Sequence, residues 1–135
     1  MITQLTLHPR GQGLHEFTAE LEAVVRAAGV ADGLCTVFVR HTSASLLIQE
    51  NADPSARRDL ERWLNRLVPE NDPLYTHNNE GADDMPAHIK AALTATALSI
   101  PISSGRLALG TWQGVYLWEH RRSGGARHVV VHIGA

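Results

Sequence analysis

The sequence predicts an α+β fold, a mostly antiparallel β-sheet or sandwich carrying about three helices, in one domain over residues 1–135. Three observations predict it. Apolar residues alternate with polar ones over several short runs, the period of half-buried strands. In three other segments they recur every three or four residues, the period of amphipathic helices. The segments follow in the order β-α-β-β-α-loop-α-β-β-β-β, which suggests α+β with an antiparallel sheet or sandwich carrying helices.

Residues 2–7 alternate, offer Ile2, Leu5 and Leu7 to a core, and end at Pro9 and Gly11, as a strand does. Leu14, Phe17, Leu21, Val24, Val25 and Ala28 are spaced three and four apart, which predicts a helix from Leu14 stopped by Gly29. Residues 34–40 are β-branched and aromatic and read as a buried strand, with a further strand over 45–49. Asp53-Pro54 is a helix start, because aspartate accepts from free backbone N–H groups and proline suits the first turn. Leu60, Trp63, Leu64 and Leu67 mark one face of that helix, which stops near Pro69. Residues 69–82 are polar and aperiodic, a long loop. Asp84 and Pro86 start a third helix with Ile89, Ala92 and Leu93 as its apolar stripe. Strands are expected over 97–102, 106–109, 113–119 and 128–133, with turns at Ser104-Gly105 and Gly124-Gly125.

A formal charge of −2 and a pI near 6.4 leave no basic footprint for nucleic acid. No apolar stretch approaches the ~20 residues that span a bilayer, and Thr3, Gln4 and Thr6 interrupt any secretory leader. One cysteine, Cys35, allows no internal disulfide and fits a reducing, cytoplasmic setting, where it reads as a small buried hydrophobe.

Two dense polar segments stand out. The first is His41-Thr42-Ser43-Ala44-Ser45, running on to Glu50-Asn51-Ala52-Asp53; the second is His77-Asn78-Asn79, then Asp83-Asp84-Met85-Pro86-Ala87-His88. A core cannot satisfy so many polar groups, each costing about 1–3 kcal/mol if buried unpaired. They are expected to form two walls of one pocket. Imidazole and carboxylate together suit zinc or another divalent ion, so His77, His88 and the intervening aspartates are metal candidates, with His41 a third nitrogen. The spacing matches no H-E-x-x-H signature, and a solvated or structural role competes for each histidine taken singly. Asp84 reads equally as a helix cap, which leaves Asp83 freer to face a ligand. Thr42, Ser43 and Ser45, or Ser103-Ser104-Gly105 and Gly110-Thr111, offer hydroxyls and backbone N–H groups to an anion. No Walker motif or G-x-S-x-G elbow is present. By alternation Trp118 and His120 share one strand face and Glu119 takes the other, as an edge charge or an inward functional carboxylate. Trp112 reads as core, subunit contact or site.

The segments His41-Thr-Ser-Ala-Ser, Glu50-Asn51-x-Asp53-Pro54, His77-Asn78, Asp84-x-Pro86-Ala87-His88-Ile89 and Gly105-Arg106-Leu107-x-Leu109-Gly110-Thr111-Trp112-Gln113 occur in that order. Together they resemble the YjbQ family, also called secondary thiamine-phosphate synthase-like proteins, over nearly the whole chain. The resemblance implies a YjbQ-like α+β fold, a homotrimer, a polar metal-capable pocket, and a weak thiamin-phosphate-synthase activity, which joins a pyrimidine diphosphate to a thiazole phosphate and expels pyrophosphate. The family's polar positions map to His41, Ser43, Glu50, Asn51, His77, Asp84, His88, Thr111, Gln113 and Glu119. Of these, His41, Glu50, Asn51 and Glu119 are the catalytic candidates. Ser43, Thr111 and Gln113, with Trp112, are the substrate-binding candidates, and His77, Asp84 and His88 the metal ligands. Two positions depart from the family: Met85 stands where many members carry Asn, and Ala95 where glycine is common.

Two functions are compatible with this. One is a metal-assisted enzyme on a phosphorylated heterocycle, its cofactor a zinc or magnesium ion. The other is a metal- or anion-binding housekeeping protein without efficient catalysis. Either needs a small phosphorylated or anionic metabolite as partner. The chain has no dense Lys/Arg clamp for a pyrophosphate, so Arg106, Arg121 or Arg127 would have to reach in.

Overall fold

The computed structural model describes residues 1–135. Eight strands and three helices follow as β1 (Ile2–Leu7), β2 (Gly13–Glu16), α1 (Thr18–Ala28), β3 (Gly33–Val39), β4 (Ala44–Glu50), α2 (Pro54–Leu67), α3 (Asp84–Leu93), β5 (Ala97–Ser103), β6 (Arg106–Leu107), β7 (Gln113–Glu119) and β8 (Arg127–Gly134). They form a five-stranded sheet, order β1-β8-β3-β5-β6, and a three-stranded sheet, order β2-β7-β4. Every strand pair is antiparallel.

The two sheets face each other across the main core. Cys35, Val37 and Val39 of β3 and Val129, Val131 and Ile133 of β8 meet Leu46, Val115 and Leu117, with Leu21 and Val25 of α1 closing the side. Burial pushes the Cys35 thiol up to about 11, so it behaves as an inert apolar residue. Strand β7 is buried on both faces. Its Val115 and Leu117 enter the main core, while Tyr116 and Trp118 meet Leu14, Leu64 and Val68 in a second cluster that seats α2.

Three expectations are corrected. The helix predicted from Leu14 begins at Thr18, because residues 13–16 form β2 and pair with β7. The strand expected over 106–109 is the two-residue β6. On α2, Leu60, Leu64 and Val68 pack inward while Trp63 and Leu67, one position displaced, face solvent. The start of α2 is as read, with the Asp53 carboxylate accepting from the Ser55 N–H at 2.9 Å. The β5–β6 turn needs positive φ at both central residues, which Ser104 (52°) and Gly105 (77°) supply.

Candidate functional site

The register of β4 against β7 decides where the polar residues go. Ala44 pairs with Glu119 at one end and Glu50 with Gln113 at the other, six residue pairs away. At ~3.3 Å per residue the ends lie roughly 20 Å apart. The first polar segment is therefore divided: His41 to Ser45 lie at one end, Glu50 to Asp53 at the other. The single pocket expected from sequence does not exist within one chain.

The end nearer His41 gathers His77, Asp84 and His88, whose ligand atoms all lie within 4.8 Å of one another. Asp84 and His88 are one helical turn apart on α3, so their side chains share a face. His77 comes from the loop before α3, its Nε2 at 2.8 Å from Asp84 Oδ2, and its ring meets that of His88 edge-on at 5.3 Å. His88 Nδ1 donates to the Thr42 carbonyl at 3.0 Å, which leaves Nε2 bare and facing the same carboxylate oxygen at 3.5 Å. Lone pair facing carboxylate is an arrangement a cation between them would relieve. The orienting bond from the far ring nitrogen is also how metal-bound histidines are held. The donor set thus fits a divalent ion.

Arg121 anchors the carboxylates from behind. It donates to Asp84 Oδ1 at 2.9 Å, to Asp83 Oδ2 at 3.2 Å and to the Glu80 carbonyl at 2.8 Å. Asp83, expected to be the freer of the two to face a ligand, sits at the N-cap position of α3 without a side-chain capping bond. Asp84 turns to the histidines, whereas Asp83 is buried against Arg121 and the Arg122 N–H. Although burial opposes it, those hydrogen bonds and the Arg121 charge hold the Asp83 carboxyl below its usual range.

Beside this cluster lies a cleft of about 250 Å³ lined by His41, Thr42, His88, Ala91, Ala92 and Thr96. His41 is not in the cluster itself: its Nε2 accepts the His128 N–H at 2.8 Å. Ser43 and Glu119 sit deeper. Glu119 is fully buried, with Oε1 bound by Arg127 Nε at 2.7 Å and Oε2 by Arg127 and the Arg121 N–H. Arg127 also reaches Ser43 Oγ at 2.9 Å. Just past the end of β7, buried His120 meets Ser45 Oγ at 2.8 Å through Nε2. Burial first, then the Lys90 and Arg127 charges, bring His120 down to about 3.

The far end of the β4–β7 pair carries the other candidates. Asn51 donates to Glu16 Oε2 at 3.1 Å, Glu50 caps the Asp53 N–H at 3.2 Å, and Gln113 Oε1 accepts from the Gly110 N–H at 2.8 Å. Thr111 and Trp112 are exposed, Trp112 at 64%. Sequence reasoning misses Glu16 and the anchoring role of Arg121. A helix assigned across β2 hides Glu16, and Arg121 lies 37 residues from the aspartate it holds.

The sequence model of a family described as UPF0047 protein YjbQ-like matches residues 3–135. The UPF0047 protein sll1880 of Synechocystis is 57% identical over 129 residues, 96% of this chain and 88% of that protein. YjbQ of Escherichia coli O157:H7 is 46% identical over 127 residues, 93% and 91% of the two chains. Among solved structures, conserved hypothetical protein TT1486 of Thermus thermophilus superposes with a TM-score of 0.87 at 35% identity, covering 98% of this chain and 99% of that one. A YjbQ/UPF0047 protein of Clostridium acetobutylicum superposes at 0.84 with 36% identity, covering 99% of each.

Proposed function

The chain belongs to the YjbQ-like UPF0047 family, and from the geometry of His77, Asp84 and His88 we propose a metal-assisted protein that acts slowly on small phosphorylated heterocycles, in the manner of a weak thiamin-phosphate synthase. The observation that carries this is the bare His88 Nε2 set against Asp84 Oδ2, beside a third ligand on His77. Two imidazoles and one carboxylate favour zinc over magnesium, which prefers oxygen ligands throughout. When bound, the ion would supply Lewis-acid polarisation of a phosphate oxygen. The protein's own part is orientation: Thr42 fixes the His88 ring, and Arg121 holds Asp84 by its other oxygen. Elemental analysis of the purified chain tests this. About one equivalent of divalent metal, removed by chelator and restored by zinc, is expected; a chain that takes up none overturns it.

A second reading, a metal- or anion-binding protein without efficient catalysis, is favoured by the state of the arginines. Arg121 is committed to Asp83 and Asp84, and Arg127 to Glu119, so neither is free to clamp a leaving pyrophosphate. Arg106 lies at the β5–β6 turn, with no carboxylate partner but on the five-stranded sheet.

We also propose self-association as a homotrimer and a cytoplasmic location, with neither nucleic acid nor membrane as partner. Supporting the first, the outer face of the five-stranded sheet leaves Ile2, Leu34 and Phe38 exposed with no helix over them. A single buried thiol is consistent with the second, and no helix is long and apolar enough to cross a membrane.

A further inference from the structure

We propose that His41 forms a ligand subsite beside the metal cluster, a fixed neutral donor whose Nδ1–H binds an anionic oxygen of the phosphorylated ligand. This rests on the proposed reading of the His77, Asp84 and His88 cluster.

The argument begins with a backbone N–H, which can only donate. The His128 N–H lies 2.8 Å from His41 Nε2, so that nitrogen must offer its lone pair. A neutral imidazole with one bare nitrogen carries its proton on the other, here Nδ1, which has no hydrogen-bond partner within the chain. Protonating Nε2 as well would set two N–H groups against each other. The ring plane is fixed too: it stacks on the His128 ring at 5.6 Å and 23°. That ring is in turn held through Nδ1 by Gln4 and Thr6, at 3.3 and 3.4 Å.

The surroundings oppose a charge on His41. Burial lowers its pKa first, then Arg127, His128 and Arg40, with only Glu119 acting the other way. Glu119 is itself neutralised by Arg127, and Arg40 has a neutral partner in Gln4 at 3.3 Å. The cleft that His41 lines contains no carboxylate; its polar groups are His41, Thr42, His88 and Thr96. An oxygen ligand entering that cleft reaches a wall shared with the metal cluster through His88. A neutral donor in a locally positive setting suits an anionic oxygen. It also means that His41 does not serve as the third metal nitrogen, nor as a base through Nε2.

The experiment pairs ring ¹⁵N NMR of the wild-type protein with zinc content and inorganic pyrophosphate binding in two variants. Gln places its carbonyl near the Nε2 position and still accepts from His128, but loses the outward donor. Asn places its amide nitrogen near Nδ1. The expected results are an Nδ1–H tautomer for His41 through neutral pH, zinc retained in both variants, and pyrophosphate affinity reduced at least about tenfold in His41→Gln but little in His41→Asn, in line with a hydrogen bond to a charged group. An Nε2–H tautomer, zinc loss in both variants, or wild-type affinity in His41→Gln overturns the proposal. Wild-type protein that takes up zinc but binds no pyrophosphate overturns the subsite alone. Wild-type protein that takes up no zinc overturns the metal reading beneath it.

Discussion

His88 gives its Nδ1 proton to the Thr42 carbonyl at 3.0 Å, and this one bond decides what the opposite edge of the ring can do. Nε2 is left as a lone pair 3.5 Å from Asp84 Oδ2, an oxygen already 2.8 Å from His77 Nε2. Three donors converge on one space, held by a strand end, a helix and a loop.

Removing those donors should remove metal. Asp84→Ala and His88→Ala are expected to lose nearly all bound zinc by elemental analysis. His77→Ala should lose less, because His77 lies on a loop with its side chain 51% exposed, whereas Asp84 is 3% exposed. Ligand-orienting partners typically change metal affinity 10–100-fold, so Arg121→Ala should fall between wild type and the ligand variants. Unchanged metal in both histidine variants would refute the assignment.

Glu119 and Arg127 form a buried pair whose partners cannot be separated cheaply. Arg127→Ala leaves a fully buried carboxylate with only the Arg121 N–H, and about 3–5 kcal/mol of stability should be lost. Urea unfolding measures it, and a loss below about 1 kcal/mol would show that the pair relaxes into solvent. Gly124→Ala should also destabilise, since a Cβ there would sit 2.3 Å from Glu119 Oε1 and 2.5 Å from the Arg127 guanidinium. Replacing both charges together, as Glu119→Leu with Arg127→Met, should recover most of what the single change loses.

His120 makes stability depend on pH. Its folded pKa of about 3 lies below the unfolded 6.5, so between those values the unfolded chain binds the extra proton. Stability therefore rises with pH through that window and falls as pH drops below 6.5. The groups facing it, Ser45 beside Nε2 and the Lys90 and Arg127 charges, offer no anion to offset protonation. Each pH unit within the window should remove roughly 1.4 kcal/mol. Urea midpoints at pH 6.5 and 5 measure the slope, and His120→Gln should flatten it. An equal slope in that variant would assign the effect to other groups.

Where the sequence was legible, one physical signal dominated; where it was not, two competed. Asp53-Pro54 marks the start of α2 because its capping chemistry is local, complete within Ser55. The span of β3 is equally plain, because Cys35, Val37 and Val39 must face one core. Leu14 misled: with Phe17 and Leu21 it keeps helical spacing, yet Leu14 belongs to the second apolar cluster and the other two to the first. Only long-range pairing with Trp118 separates them. The gathering of His77, Asp84 and His88 followed from their shared polar setting. The distance between Ser43 and Glu50 did not, since it depends on β4 running without interruption from Ala44, next to Ser43, to Glu50. Glu119 reads in sequence as an edge charge or a functional carboxylate, because its partner, Arg127, becomes visible only when the end of β7 and the start of β8, which lie in different sheets, are brought together.

The outer sheet face should govern assembly. Along β3 the side chains alternate, with Cys35, Val37 and Val39 inward and Leu34 and Phe38 outward, and Ile2 of β1 is 72% exposed on the same sheet. Light scattering at micromolar concentration should give the mass of a trimer. Phe38→Glu should shift it toward smaller species with the circular dichroism spectrum unchanged. A stable wild-type monomer would sink the trimer, and an unaffected Phe38→Glu trimer would move the interface elsewhere.

Turnover, finally, should be slow and metal-dependent. The displacement that makes thiamin phosphate is accelerated by stabilising the departing pyrophosphate, and each tenfold in rate corresponds to about 1.4 kcal/mol of barrier. The arginines nearest the cluster spend their charge on carboxylates: Arg121 on Asp83 and Asp84, Arg127 on Glu119. What remains near the cleft is His41, Thr42 and Thr96, which orient oxygens without adding positive charge. Purified protein should therefore convert the two thiamin precursors at a low rate that is abolished by chelator and restored by zinc. Asp84→Ala should match the chelated wild type, because the carboxylate contributes only through the metal. Rapid turnover that survives chelation would refute the mechanism. Zinc and pyrophosphate binding without any turnover would leave the binding protein as the correct reading.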